Sequence, residues 1–233
     1  MGLSLFTIGG FLFLLRYLHV FAGLIWIGTL YYFNFMQGAF FAETDATTKS
    51  NATQKLLPRA LWWFRYGALW TFITGLAQIA ITGQQGGMGQ FSSAYGEIIL
   101  TGMLLATIMF LNVWLVIWPN QKVVIENAVL TAQGKPGHAN AAACAGKAGL
   151  ASRTNTLFSI PMLYLMVGAR HFPMILSDSP NFMLYWILVG VIVAALEFNA
   201  LKGKTGPITT IKGVISCGFG LTVVLYAIME ICR

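Results

Sequence analysis

Residues Leu15–Phe41 read LRYLHVFAGLIWIGTLYYFNFMQGAFF. About 20 apolar residues cross a bilayer, and this stretch exceeds that length while carrying Arg16 and His19 one helical turn apart. Ionisable side chains are costly in hydrocarbon, so a buried one marks a candidate functional site. A neutral imidazole in an apolar wall is what a haem iron takes as an axial ligand. It is also what hydrogen-bonds across packed helices. Both readings of His19 are open on this stretch alone.

The rest of the chain has the same character. Of 233 residues, 57% are hydrophobic and only 9% charged, against about 25% charged in soluble domains. The mean hydropathy is +0.72. These values predict a polytopic membrane protein. The first apolar stretch runs on without a small-residue cleavage site, so it is expected to be a retained helix and not a signal peptide. The net charge of +7 comes from Lys and Arg in short connections between apolar runs. That placement is a topology signal; it lacks the basic stripe of a nucleic-acid binder. Cys144, Cys217 and Cys232 lie far apart with no CxxC and no CxxCH, which excludes zinc-ribbon, iron–sulfur and covalent c-type haem motifs.

Six spans are expected, at about Gly10–Met36, Leu61–Ile81, Ile98–Trp118, Thr156–His171, Phe182–Leu201 and Ile211–Ile231. The fourth is expected to begin at a polar turn, Ser152–Asn155, after a cytoplasmic helix built on the Ala-rich run that follows Lys135-Pro136-Gly137. Gln84–Ser93 reads as a flexible external loop. The first, third and fifth connections carry the Lys and Arg, and the second carries none. The positive-inside rule then places both termini outside. The predicted architecture is all-α: one transmembrane domain, residues 1–233, forming a bundle of about six helices.

Among polar groups, His138 reads as a solvated loop residue. His19 and His171 fall on the same, outer side of this topology. Two imidazoles from two helices can fill both axial positions of a haem b. Arg16 and Arg170 would then sit at one interface, where guanidinium forks match haem propionates. Depth decides the pairing. A span starting at Gly10 places His19 nine residues in, roughly 14 Å deep; if Arg16 snorkels to the interface instead, His19 lies only one turn below it. His171 reads equally as an interfacial residue just before Phe172-Pro173. Arg65, Glu97 and Glu197 are further ionisable groups near or within spans, with Lys202 or Lys204 as expected partners of Glu197. Asn34, Gln37, Asn112 and Asn155 are placed to satisfy one another or to line a small cavity. Trp62, Trp63, Trp118 and Trp186 flank spans as an interfacial belt does.

Three blocks together resemble the membrane domain of the bacterial urate oxidase (urate hydroxylase) family: RYLHVFAGLIWIGTLYYFNF from Arg16, NVWLVIWPNQKVVI from Asn112 and SRTNTLFSIPMLYLMVGARHF from Ser152. The first block is also similar, more distantly, to helices of copper-resistance D and HemJ-type membrane proteins. The resemblance singles out Arg16, His19, Asn112, Trp118, Asn120, Arg153, Asn155 and His171.

It implies a multi-pass protein of the bacterial inner membrane, coupled to c-type cytochromes in purine breakdown. Family members join such a domain to a cytochrome c domain, whereas this sequence ends at Arg233 without a CxxCH. The leading expectation is therefore a haem b redox protein with His19 and His171 as axial ligands and Arg16 and Arg170 at the propionates. It would exchange electrons with a separate c-type cytochrome on the outer side, and an oxidoreductase activity is open. The alternative is a non-catalytic anchor subunit of a larger respiratory complex. A transporter fits poorly, given the scarcity of intramembrane acids and the lack of a repeat.

Overall fold

The computed structural model describes residues 4–171 and 180–232, and six long helices account for nearly all of them. They are α1 (Ile8–Glu43), α2 (Ala46–Gly86), α3 (Ala94–Ala132), α4 (Ala141–His171), α5 (Phe182–Lys202) and α6 (Ile211–Cys232). No strand occurs among the described residues. Helices α1, α3, α5 and α6 are each long and apolar enough to cross a membrane. The more polar α2 and α4 are packed among them. The chain is an all-α, polytopic membrane bundle.

Capping side chains set the starts. Thr7 Oγ1 accepts from the Gly10 amide at 3.1 Å, and the Asn181 Oδ1 accepts from the Leu184 amide at 3.0 Å. Each satisfies one of the orphan donors at a helix N-terminus. Asp45 caps α2, so the first connection is only Thr44–Asp45, and most of the stretch between the first two predicted spans is helix. The predicted external loop is likewise shorter: α2 runs to Gly86, and a 3₁₀ turn at Met88–Ser92 leads into α3. The expected helix end at Phe172-Pro173 lies outside the described residues.

Two helices contain a π turn, Tyr32–Gln37 in α1 and Asn112–Ile117 in α3. The second explains how α3 passes Pro119, which has no amide hydrogen and whose ring crowds the preceding turn. The Trp118 amide reaches back five residues to the Val113 carbonyl, so the widened turn absorbs the proline and the helix continues to Ala132 instead of ending at Trp118. The predicted turn at Ser152–Asn155 is also helix. Its side chains bond inward: Ser152 to Asn34, Asn155 to Asn112, and Thr154 to the Leu150 carbonyl. Polarity there marks helix contacts, not a chain reversal.

α1 packs along α2, and α4 is the hub of the rest, touching α3, α5, α6 and, more lightly, α1. The core is Trp26, Leu30, Phe64, Leu105, Met109, Phe158, Leu165 and Tyr185, each 0–1% exposed. The outward side of α1 leaves Phe11, Phe13, Tyr17, Phe21 and Leu24 uncovered, as a lipid-facing surface does.

Candidate functional site

His19 is half-buried between α1 and α2. Its Nδ1 lies 2.9 Å from the Thr71 carbonyl oxygen and 3.2 Å from Thr74 Oγ1. A carbonyl can only accept, so Nδ1 carries a proton, and in the neutral ring Nε2 is the nitrogen left with a lone pair. Metal-bound histidines usually have this arrangement, the second nitrogen donating to a carbonyl or carboxylate. Gly75 makes room for the ring: a Cβ there would stand 3.0 Å from His19 Cε1. An apolar groove of about 650 Å³ runs beside the α1–α2 seam, walled by Leu15, Leu18, Trp63, Trp70 and Ile73 and by Thr74, which it shares with His19. The imidazole itself is not one of its walls. The Nδ1–H bond is the arrangement a ligating histidine uses, and the apolar groove lies next to the ring without including it.

The other predicted ligands are arranged less tightly. Tyr31 Oη meets Ser159 Oγ at 2.9 Å, which fixes the register of α1 against α4. His19 lies twelve residues before Tyr31, and His171 twelve residues after Ser159. In antiparallel helices those steps carry both histidines about 18 Å toward the same end, to one level. Each is also turned about 120° away from its pairing residue. Both hydrogen-bond acceptors of His19 are on α2, and His171 is exposed. Arg16 is exposed, and Arg170 stacks over the Tyr95 ring at 5.2 Å. Equal steps along ideal helices put the two histidines at one level but on different faces. Thr71, Thr74 and Gly75 are functional neighbours that the sequence reading missed, although their spacing on one helical face is a readable signal.

Two polar clusters lie deeper in the bundle. The Asn112 amide donates to Asn155 Oδ1 and to Glu197 Oε2, both at 3.0 Å, while the Asn155 amide donates to the Met109 carbonyl at 2.9 Å. Asn112, and not Lys202 or Lys204, is therefore the partner of Glu197. Thr101 and Tyr185 share a hydrogen bond in the core, and the buried Glu97 faces Tyr185 and Cys232 electrostatically. Arg65 is separate from Glu97: its guanidinium carbon lies 3.4 Å from the centre of the Trp118 ring. His138 lies in the third connection, with Nε2 3.2 Å from a Glu126 carboxylate oxygen.

A second cavity, about 360 Å³, lies at the other end of the bundle from His19. Both π turns feed it, Asn34 and Gln37 from α1 and Ile117 from α3, with Gln121 one turn further on. Ser152 and Arg153 close it from α4. Gln37 Oε1, Gln121 Oε1 and Arg153 Nη1 are all buried there without a hydrogen-bond partner. Leaving a buried polar group unpaired costs about 1–3 kcal/mol, more when it is charged.

The comparisons with known proteins bear on these regions unequally. The sequence matches the urate oxidase N-terminal family over residues 79–228. The chain belongs to that family. The match takes in the end of α2 and nearly all of α3 to α6, hence Asn112, Gln121, Arg153, Asn155, His171 and Glu197, but not Arg16 or His19. No curated protein and no solved structure matches the chain.

Proposed function

We propose that the chain is a haem b-holding membrane redox domain of the bacterial inner membrane, with His19 as axial ligand. The observation that carries this reading is the Nδ1–H bond to the Thr71 carbonyl, which fixes the ring's orientation and leaves Nε2 as the ligating nitrogen of a neutral imidazole. His171, at the same level, is the proposed second ligand, and Arg16 and Arg170 the propionate partners. The positive-inside distribution orients the His19 end outward with both termini outside, where a c-type cytochrome would exchange electrons. A haem supplies one-electron chemistry at a potential set by its ligands and their hydrogen bonds. The protein's part is to orient Nε2 through Thr71, to leave ring space at Gly75 and to keep water from the apolar α1–α2 groove.

A reduced-minus-oxidised spectrum of the purified chain and of His19→Ala tests the reading. A b-type signal in the wild type that disappears in the variant is the expected result. An intact signal in the variant removes His19 from the site. A featureless Soret region in folded wild-type protein ends the haem assignment. One observation favours the second reading, an anchor subunit without its own redox centre: the family match leaves out His19. Stoichiometric co-purification with redox partners and no b-type signal is the result that reading expects.

A further inference from the structure

We infer that an anionic phospholipid binds at the α1–α2 groove, its phosphate held by Arg65 and Lys122 and one acyl chain laid along the groove. Two cations meet at one aromatic ring here. The Arg65 guanidinium carbon lies 3.4 Å from the centre of the Trp118 ring, and Lys122 Nζ lies 5.7 Å from the same centre. Like charges held that close repel, the more so where water is scarce. Among the described residues neither cation is paired with a carboxylate, and Glu126, one turn beyond Lys122, is turned to His138. A phosphodiester set between the two cations offsets their repulsion. It also suits both the fork of a guanidinium and the point charge of an ammonium.

The groove makes that anion a lipid. Arg65 Nε donates to the Leu61 carbonyl at 3.2 Å, which turns the side chain back along α2 toward its N-terminal end. Trp62, Trp63 and Trp118 stand near that level, as a membrane-interface belt does. The same end of the bundle carries Lys49, Lys55, Arg59 and Lys147, a field of the sign that anionic headgroups seek. The Tyr66 ring joins the charged spot to the groove. It lies 5.7 Å from the Arg65 guanidinium carbon, and it walls the groove beside Trp62, whose ring is 4.7 Å away. From Trp62 the groove follows α2 past Trp70 and Ile73 to Ala77. That is fifteen residues, or about 22 Å, which exceeds half of the roughly 30 Å hydrocarbon thickness. One acyl chain therefore fits along it over the depth of its own leaflet. Trp62, Trp63 and Trp70 leave apolar ring surface exposed there for the chain to cover. A neutral lipid could fill the groove but would leave the two cations facing each other, so charge selects the anionic class. The headgroup position is set by α2 and α3 and does not involve His19.

Quenching of tryptophan fluorescence by lipids with brominated chains tests the inference, with the purified full chain in phosphatidylcholine vesicles. Brominated phosphatidylglycerol is expected to bind the wild type about tenfold or more tightly than brominated phosphatidylcholine. Arg65→Gln and Lys122→Gln should each lower that preference about fivefold, and the double variant should abolish it. Lys122 is exposed, so Lys122→Gln carries the test should Arg65→Gln fail to fold. Ala77→Phe, which fills the far end of the groove, should weaken phosphatidylglycerol binding with both cations still in place. Equal quenching of the wild type by the two lipids, or a preference unchanged in Lys122→Gln and Arg65→Gln, overturns the site. Undiminished binding in Ala77→Phe overturns the placement of the acyl chain. Displacement of phosphatidylglycerol by inorganic phosphate, beyond that caused by sodium chloride of equal ionic strength, overturns the lipid in favour of a free anion. The b-type absorbance, read in the same samples, reports on the haem proposal separately, since neither result depends on the other.

Discussion

The α1–α2 pair and the α3–α6 cluster are joined by different means. Between α1 and α2 the backbones approach closely: a Cβ on Gly67 would stand 3.0 Å from the Trp26 amide nitrogen and 3.3 Å from the Ala22 carbonyl oxygen. The one polar link described across that seam is His19 to Thr71 and Thr74. Among α3, α4 and α5, by contrast, side chains hydrogen-bond across the gaps, through Asn112, Asn155 and Glu197 and through Thr101 and Tyr185. Membrane helices have these two ways to associate, small residues that let backbones touch and polar residues that act as glue. The comparison teaches where each kind of chemistry can be held. A close seam with one histidine orients a single ligand. A polar network leaves room for several convergent groups, and the family match falls on the network.

The largest effect should come from cutting that network. Asn112→Leu removes the donor to both Asn155 and Glu197, leaving the buried Asn155 oxygen unpaired at about 1–3 kcal/mol and the half-buried Glu197 carboxylate without this partner. Thermal unfolding in detergent, followed by circular dichroism, should show a clear drop. The same variant should leave the spectroscopic signature of the His19 end unchanged. A change at both ends would mean that the two regions are not separable in the way their packing implies.

The close seam predicts a smaller effect that depends on position. Gly67→Ala places a methyl group against two backbone atoms that cannot move independently, an overpacking cost of about 1–3 kcal/mol. A Cβ added to Gly190 in α5 would meet nothing within 4 Å, so Gly190→Ala should stabilise its helix by up to about 1 kcal/mol through propensity alone. Opposite signs for these two substitutions, measured side by side, sharpen the contrast. Equal effects would show that α1 and α2 do not touch as closely as the geometry states.

The two regions are also unequally legible in the sequence. Helices α1, α3, α5 and α6 follow from apolar runs of spanning length, and the all-α membrane architecture follows from them. The extents of α2 and α4 do not, because their polar residues resemble loop chemistry until their partners are known. Ser152 and Asn155 point at Asn34 and Asn112, which are 118 and 43 residues away. His19 is conspicuous because charge stands out in hydrocarbon. Its partners are not, since Thr and Gly are common at helix seams for packing alone. The cavity between the two π turns is the least legible feature. Gln37 and Arg153 are individually visible, but their convergence with Gln121 depends on two π turns that no periodicity announces.

The smallest predicted effect lies at the turn that joins α1 to α2, outside the membrane-spanning segments. There Asp45 accepts from the Thr48 hydroxyl and from the Thr48 and Thr47 amides. These bonds, the Thr48 hydroxyl first, hold its carboxyl below the usual aspartate range. A carboxyl with a lowered folded-state pKa stabilises the fold above its unfolded value, near about 3.9. That contribution is lost as pH falls through the folded-state value. Wild-type protein should therefore lose a small increment of thermal stability on acidification below about pH 4. Asp45→Asn should lack that increment while keeping most of the capping hydrogen bonds, because Asn caps nearly as well as Asp. The difference between the two melting curves against pH isolates the charge of this cap from the cap itself. A difference that persists unchanged down to about pH 2, well below the ordinary aspartate range, would show that the Asp45 carboxylate does not contribute to holding the α1–α2 turn.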